Sequence, residues 1–136
     1  MKREVVFDSS AIYSTNNPDN QGDINKLFGF ADCNSHHHTN SARFGWRWFN
    51  GQLEIHAYNY VKKVRQYQLL EVIQLNRPYA MSISATNDKY TFRIDDRQYN
   101  MPRGCSAAVT FKYLLYPYFG GDEKAPHDIV IELNKI

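Results

Sequence analysis

From Ser41 to Phe49 apolar and polar positions alternate residue by residue, with Phe44, Trp46 and Trp48 on one side and Arg43, Gly45 and Arg47 on the other. A period of two is that of an extended strand with one buried face. Asn50-Gly51 follows at once, a dipeptide that favours a two-residue hairpin because both positions tolerate positive φ. Alternation then resumes from Leu53 to Val61, with Leu53, Ile55, Ala57 and Val61 opposing Glu54, His56, Tyr58 and Tyr60. Folding at the turn lays the polar-aromatic face of one strand beside the like face of the other.

The same period recurs along the chain. Gln66 to Leu75 would accommodate a helix, but its Ile, Val and Tyr content and the neighbouring hairpin favour a strand. Tyr79 to Ala85, Tyr90 to Ile94 and Tyr99 to Met101 continue the meander, separated by turns at Asn76-Arg77-Pro78, Thr86 to Lys89 and Asp95-Asp96. Upstream, Val5, Val6 and Phe7 predict an opening strand, and Ser9 to Asn25 has the Ser, Asn, Asp, Gly and Pro of a loop. Asp23 is placed to cap a short helical turn through Ile24, Lys26, Leu27 and Phe28, ended by Gly29. Downstream, Ala107 to Phe119 reads as a strand through Val109 and Phe111 with an aromatic end at Tyr113, Tyr116, Tyr118 and Phe119. Pro117 puts that end at a sheet edge or takes it out of the sheet, and Gly120-Gly121 permits a sharp turn. Asp128 to Leu133 closes the chain, with Ile129, Ile131 and Leu133 on one face. With no repeat or linker, residues 1–136 predict one domain, an all-β antiparallel β-sandwich of jelly-roll (concanavalin A-like) type, with a closed barrel as the alternative.

Composition supports the sheet and narrows the partners. Ten Tyr and eight Phe stand against three Met in 136 residues, a bias toward strand-favouring side chains. Sixteen Lys and Arg against fourteen Asp and Glu leave a net charge of +2, scattered rather than gathered in a run, which argues against nucleic acid as a partner. No stretch is apolar enough to span a bilayer, and MKREVVFDSS lacks the apolar core of a secretory leader. The expectation is no membrane partner, and a soluble protein or the mature form of an exported one. Cys33 and Cys105 lack CxxC spacing, so zinc has no support; one disulfide or two free thiols both fit.

Arg43, Arg47, Glu54, His56, Tyr58 and Tyr60 share the polar face of the hairpin. Rings that stack on C–H faces, with hydrogen-bonding groups between them, suit an oligo- or polysaccharide. The bland alternative is that arginines stacked on tyrosines cover a half-exposed sheet. Arg43-Phe44-Gly45-Trp46-Arg47 resembles the Arg-x-Glu-x-Arg strand of the jelly-roll alginate lyases, with Gly45 where the family has glutamate. Glu54-Ile55-His56 resembles their Gln-Ile/Val-His strand with glutamate for glutamine, and Tyr118-Phe119 keeps the aromatic pair of their last strand. More broadly the pattern is similar to small lectin and glucanase sandwiches. The lyase resemblance implies that Arg47 neutralises a uronate carboxylate while His56 or a Tyr moves the proton.

Three functions follow: a lectin-like carbohydrate binder, a polysaccharide lyase on the same face, and an interaction module that docks a protein or a second copy through Tyr116 to Phe119. Asp95-Asp96 suit a turn better than a glycosidase dyad. The expectation is no catalytic cofactor. The Gly-rich loop offers Asp122 and Asp128, with Glu123 and His127 beside them, as ligands for a structural calcium that Asp8 would complete; a solvated charged loop is the alternative. His36, His37 and His38 are read as loop, because neighbours on an extended chain point to opposite faces.

Overall fold

Among the described residues the period-two segments form ten strands: β1 (Lys2–Phe7), β2 (Asn25–Ala31), β3 (Ser41–Phe49), β4 (Gln52–Val61), β5 (Val64–Ile73), β6 (Tyr79–Thr86), β7 (Lys89–Ile94), β8 (Arg97–Pro102), β9 (Tyr113–Leu115) and β10 (Ile131–Lys135). The computed structural model describes residues 1–106 and 111–136. The strands make two antiparallel five-stranded sheets, ordered β10-β1-β6-β7-β8 and β5-β4-β3-β2-β9. The protein is an all-β, two-sheet sandwich, as its alternation predicts. One sheet holds the meander β2 to β5, and the other holds the meander β6 to β8 beside β1.

Apolar residues at every second position fill the space between the sheets. Val5, Phe7, Phe44, Ile55, Tyr90 and Phe92 are fully buried. Phe7 meets Trp46 at a centroid distance of 5.2 Å, and Phe44 meets Phe92 edge-on at 5.0 Å. Burying each large apolar side chain contributes about 1.5–3 kcal/mol. Asn50 and Gly51, at φ 54° and 70°, turn β3 into β4 with Trp46 opposite Ile55 and Phe44 opposite Ala57.

The expected helical turn at residues 24–28 is instead the start of β2. A register shift between Lys26 and Gly29 interrupts the alternation, so Leu27 and Phe28 are both buried and the run imitates a helix in sequence. Gly29 is a close-packing position rather than a helix stop. A Cβ there would lie 2.1 Å from the Ala42 carbonyl oxygen and 2.4 Å from the Arg43 Cβ.

The closing strand begins at Ile131, later than expected, because the residues before it are tied elsewhere: Val130 N–H donates to Ser10 Oγ and His127 Nε2 bonds Ser10 O, both at 2.8 Å. Ile131 and Leu133 then pair with Phe7 and Val5. The strand expected over residues 107–119 lies partly outside the described residues, Val109 included; its described part gives β9 and a bridge from Tyr118 to Lys26. Cys33 and Cys105 form a disulfide across 72 positions, which settles the thiol alternative. Beside it Arg103 grips Asp32 through Nε to Oδ2 at 2.7 Å and Nη2 to Oδ1 at 3.2 Å, and the Tyr90 hydroxyl donates to Oδ2 at 2.6 Å. Among the described residues no helix is long and apolar enough to cross a membrane.

A candidate ligand-binding groove

Because Phe44, Trp46, Ile55 and Ala57 point into the core, the residues between them must face outward on the β5-β4-β3-β2-β9 sheet. Antiparallel register then builds rows across the strands. Gly29, Arg43, Tyr58 and Tyr67 form one row; Lys26, Gly45, His56 and Leu69 form the next; Arg47 stands opposite Glu54. All six residues predicted from alternation, Arg43, Arg47, Glu54, His56, Tyr58 and Tyr60, lie on this one face.

They fall into two chemically different groups. Arg47 donates from Nε to Glu54 Oε1 at 2.6 Å and from Nη1 to Gly22 O at 2.8 Å, with its guanidinium over the Phe49 ring. His56 Nε2 lies 3.1 Å from the same Glu54 oxygen. Only 3% of His56 is exposed, and burial lowers its pKa despite the carboxylate, so it is a neutral ring. Its Nδ1 is buried without a hydrogen-bond partner among the described residues. Arg47, Glu54 and His56 therefore satisfy mainly one another.

Arg43, Tyr58 and Tyr60 belong to an open pocket of about 450 Å³ whose other wall is Leu115, Tyr116 and Tyr118. His37 and His38 close one end, where the His38 ring lies 5.3 Å from Tyr60. A second pocket of about 240 Å³, lined by Asp23, Arg47, Arg65 and Tyr67, adjoins it. Lys26 and Tyr58 border both, the Lys26 ammonium 4.3 Å from the centre of the Tyr58 ring, so the two make one groove across the sheet. Lys26 also donates to Ile24 O at 2.7 Å, and burial lowers its pKa.

Lys26, Leu115, His37 and His38 were not among the predicted site residues. Lys26 was hidden in the apparent helical turn, although its charge inside an apolar run was a signal. The two histidines reach the groove because their loop is tied to β9: His37 N–H donates to the Tyr113 hydroxyl, which also bonds His37 Nδ1, both at 2.9 Å. Burial, then the neighbouring His38, His36 and Arg43 charges, bring the His37 pKa down to about 4. The ring nitrogens of His36, His37 and His38 come within 4.8 Å of one another. His36 Nδ1, however, accepts the His38 N–H at 3.1 Å, which in a neutral ring leaves the proton on Nε2 and no lone pair for a metal.

Asp122 and Asp128 are exposed, and neither joins a cluster of three ligand groups among the described residues. Asp8, expected beside them, accepts from the Ser10 N–H and hydroxyl. Glu123 accepts from the backbone of Asn16 and Asn17 and from the Asn20 amide. The Glu123 bonds fasten the long 8–24 loop to the closing segment.

No protein-family model matches the chain, and comparison with curated proteins and with solved structures finds no similar protein. Fold and site define an antiparallel β-sandwich with a cationic groove, walled by tyrosines, on the outer face of one sheet.

Proposed function

We propose that the protein is a lectin-like carbohydrate-binding sandwich of the concanavalin A type, and that an oligosaccharide lies along the groove. The observation that carries this reading is the union of two pockets through Lys26 and Tyr58, with the half-buried Tyr60 ring and the exposed Tyr118 ring beside cationic donors. Sugar C–H faces pack on aromatic rings while hydroxyls take hydrogen bonds, and a groove crossing several strands seats more than one ring. The polysaccharide-lyase reading ranks second, because the groups it needs are engaged: Arg47 with Glu54 and Gly22, His56 beneath the surface against Glu54. Exposure of Tyr116 and Tyr118, at 71% and 67%, supports a docking role for the same rim.

A glycan array followed by calorimetry tests the proposal. The expected outcome is binding that Tyr60→Ala or Tyr118→Ala weakens at least about tenfold, or ~1.4 kcal/mol, with no ultraviolet-absorbing unsaturated uronate product. Release of that product would install the lyase reading. Absence of glycan binding, with a dimer that Tyr118→Ala abolishes, would install the docking reading.

A further inference from the structure

Within the groove one residue is set apart by what it lacks. Arg43 is only 8% exposed, and its Nε is buried with no hydrogen-bond partner among the described residues. No carboxylate pairs with it there, and none lines the pocket it borders, whereas Lys26 adds a second cation. Burial lowers the Arg43 pKa against the opposing influence of Tyr58, Tyr60 and Tyr113. A largely buried guanidinium whose Nε has no partner is costly to a fold unless something compensates it. The backbone is arranged to hold it nonetheless, since Gly29 opposite it in register has no Cβ to compete for the space.

The missing partner is defined by this chemistry. A guanidinium offers a planar fork of N–H donors that matches two oxygens of a carboxylate or sulfate, and the hydroxyls of Tyr58 and Tyr60 are further donors in the same pocket. The adjoining pocket differs, since Asp23 lines it and Arg47 there already has Glu54. Resting on the saccharide reading above, we infer that the sugar unit seated over Arg43 carries an acidic oxygen group, a carboxylate or a sulfate, which Arg43 binds as its ion-pair partner. The acid therefore belongs at the Arg43 end of the groove, where no carboxylate lines the pocket.

Matched short glycans separate the possibilities. Calorimetry would compare trigalacturonate with its methyl ester, for the carboxylate, and neocarrabiose 4-sulfate with its desulfated form, for the sulfate, within an array of acidic and neutral oligosaccharides. The full-length chain is expected to bind an acidic glycan at least tenfold more tightly than its neutral counterpart. Arg43→Gln should erase that preference, and Arg43→Lys, which keeps the charge but loses the fork, should retain part of it. Without ligand, Arg43→Gln should melt at the same temperature as the parent or higher. Equal affinity for acidic and neutral members, or a preference that survives Arg43→Gln, overturns the acid inference and leaves the saccharide reading standing. An array with no binder overturns both. If Arg43→Gln does not fold, Arg43 is a structural residue and the inference falls, unless the parent chain discriminates acid from ester and Arg43→Lys narrows the gap.

Discussion

Two arginines of this sandwich are equally hidden, each 8% exposed, and they live under opposite rules. Arg103 holds Asp32 bidentately, with Tyr90 donating to the same carboxylate, and that partnership raises the Arg103 pKa. Burial of Asp32 works against its ionisation, but the bonds from Arg103 and Tyr90 outweigh it and the carboxyl pKa falls. Among the described residues Arg43 has no such partner, and burial lowers its pKa. Buried charge that is paired within the chain holds the fold together, whereas buried charge left unpaired at a pocket is held for something outside the chain. Arg103 sits beside the disulfide, and Arg43 sits in the groove.

The comparison breaks first at Asp32. Removing one member of a buried pair leaves the other uncompensated, so Asp32→Ala should cost roughly 3–5 kcal/mol of unfolding free energy in a denaturant titration. Asp32→Leu combined with Arg103→Met should recover most of that loss, because two apolar groups replace two charges. A cost of similar size for Arg43→Met would show that both arginines are structural and would end the contrast. The pH dependence has a defined sign. The Asp32 pKa is depressed in the folded chain, so its contribution is present above the ordinary carboxylate value of about 3.9 and disappears as pH falls through the lower folded value.

Next in size is the disulfide. Cys33–Cys105 closes 72 positions and tethers the segment bearing Asp32 to the one bearing Arg103. Replacing both cysteines by serine should lower stability by about 2–4 kcal/mol. Glycan affinity should change much less, because sheet pairing holds the walls on β3, β4 and residues 115–118, and the Tyr113 hydroxyl holds the His37 end independently of the tether. An equal loss of binding and stability would mean that the groove depends on the same tether.

How much of this was legible in sequence follows from the range of the interactions. The β3–β4 hairpin could be read because its evidence is local: strict alternation, Asn50-Gly51, and apolar side chains at every second position. That sufficed to put six outward residues on one face. It could not separate Arg43 from Arg47, because the difference lies in partners such as Gly22, and in a groove wall at residues 115–118 far along the chain. β2 was obscured by its register shift, which breaks the period that sequence reading relies on. The Asp32–Arg103 pair spans 71 positions, and its signal, that Asp32 adjoins Cys33 and Arg103 lies two residues before Cys105, becomes legible only once those cysteines are known to be joined. Asp122 and Asp128 are close in sequence, and among the described residues neither belongs to a group of three side chains that could share an ion.

The smallest predicted effect tests the unpaired charge most directly. After burial and the charges of His38 and His36, the Arg43 guanidinium is a further influence that holds the His37 pKa down at about 4. With a folded pKa below the unfolded value of about 6.5, the unfolded chain takes up its proton first, so this histidine lowers stability as pH falls from about 6.5 toward 4. Removing the Arg43 charge should ease that suppression. In Arg43→Gln the His37 ring, followed by NMR titration, should take its proton at a higher pH than in the parent, by a fraction of a unit given the screening at a partly exposed ring. Binding of an acidic glycan to the parent should move the same resonance in the same direction, because the ligand neutralises the charge that the substitution deletes. A His37 titration indifferent to both would mean that the Arg43 charge is already balanced within the protein, and the distinction between the two arginines would be lost.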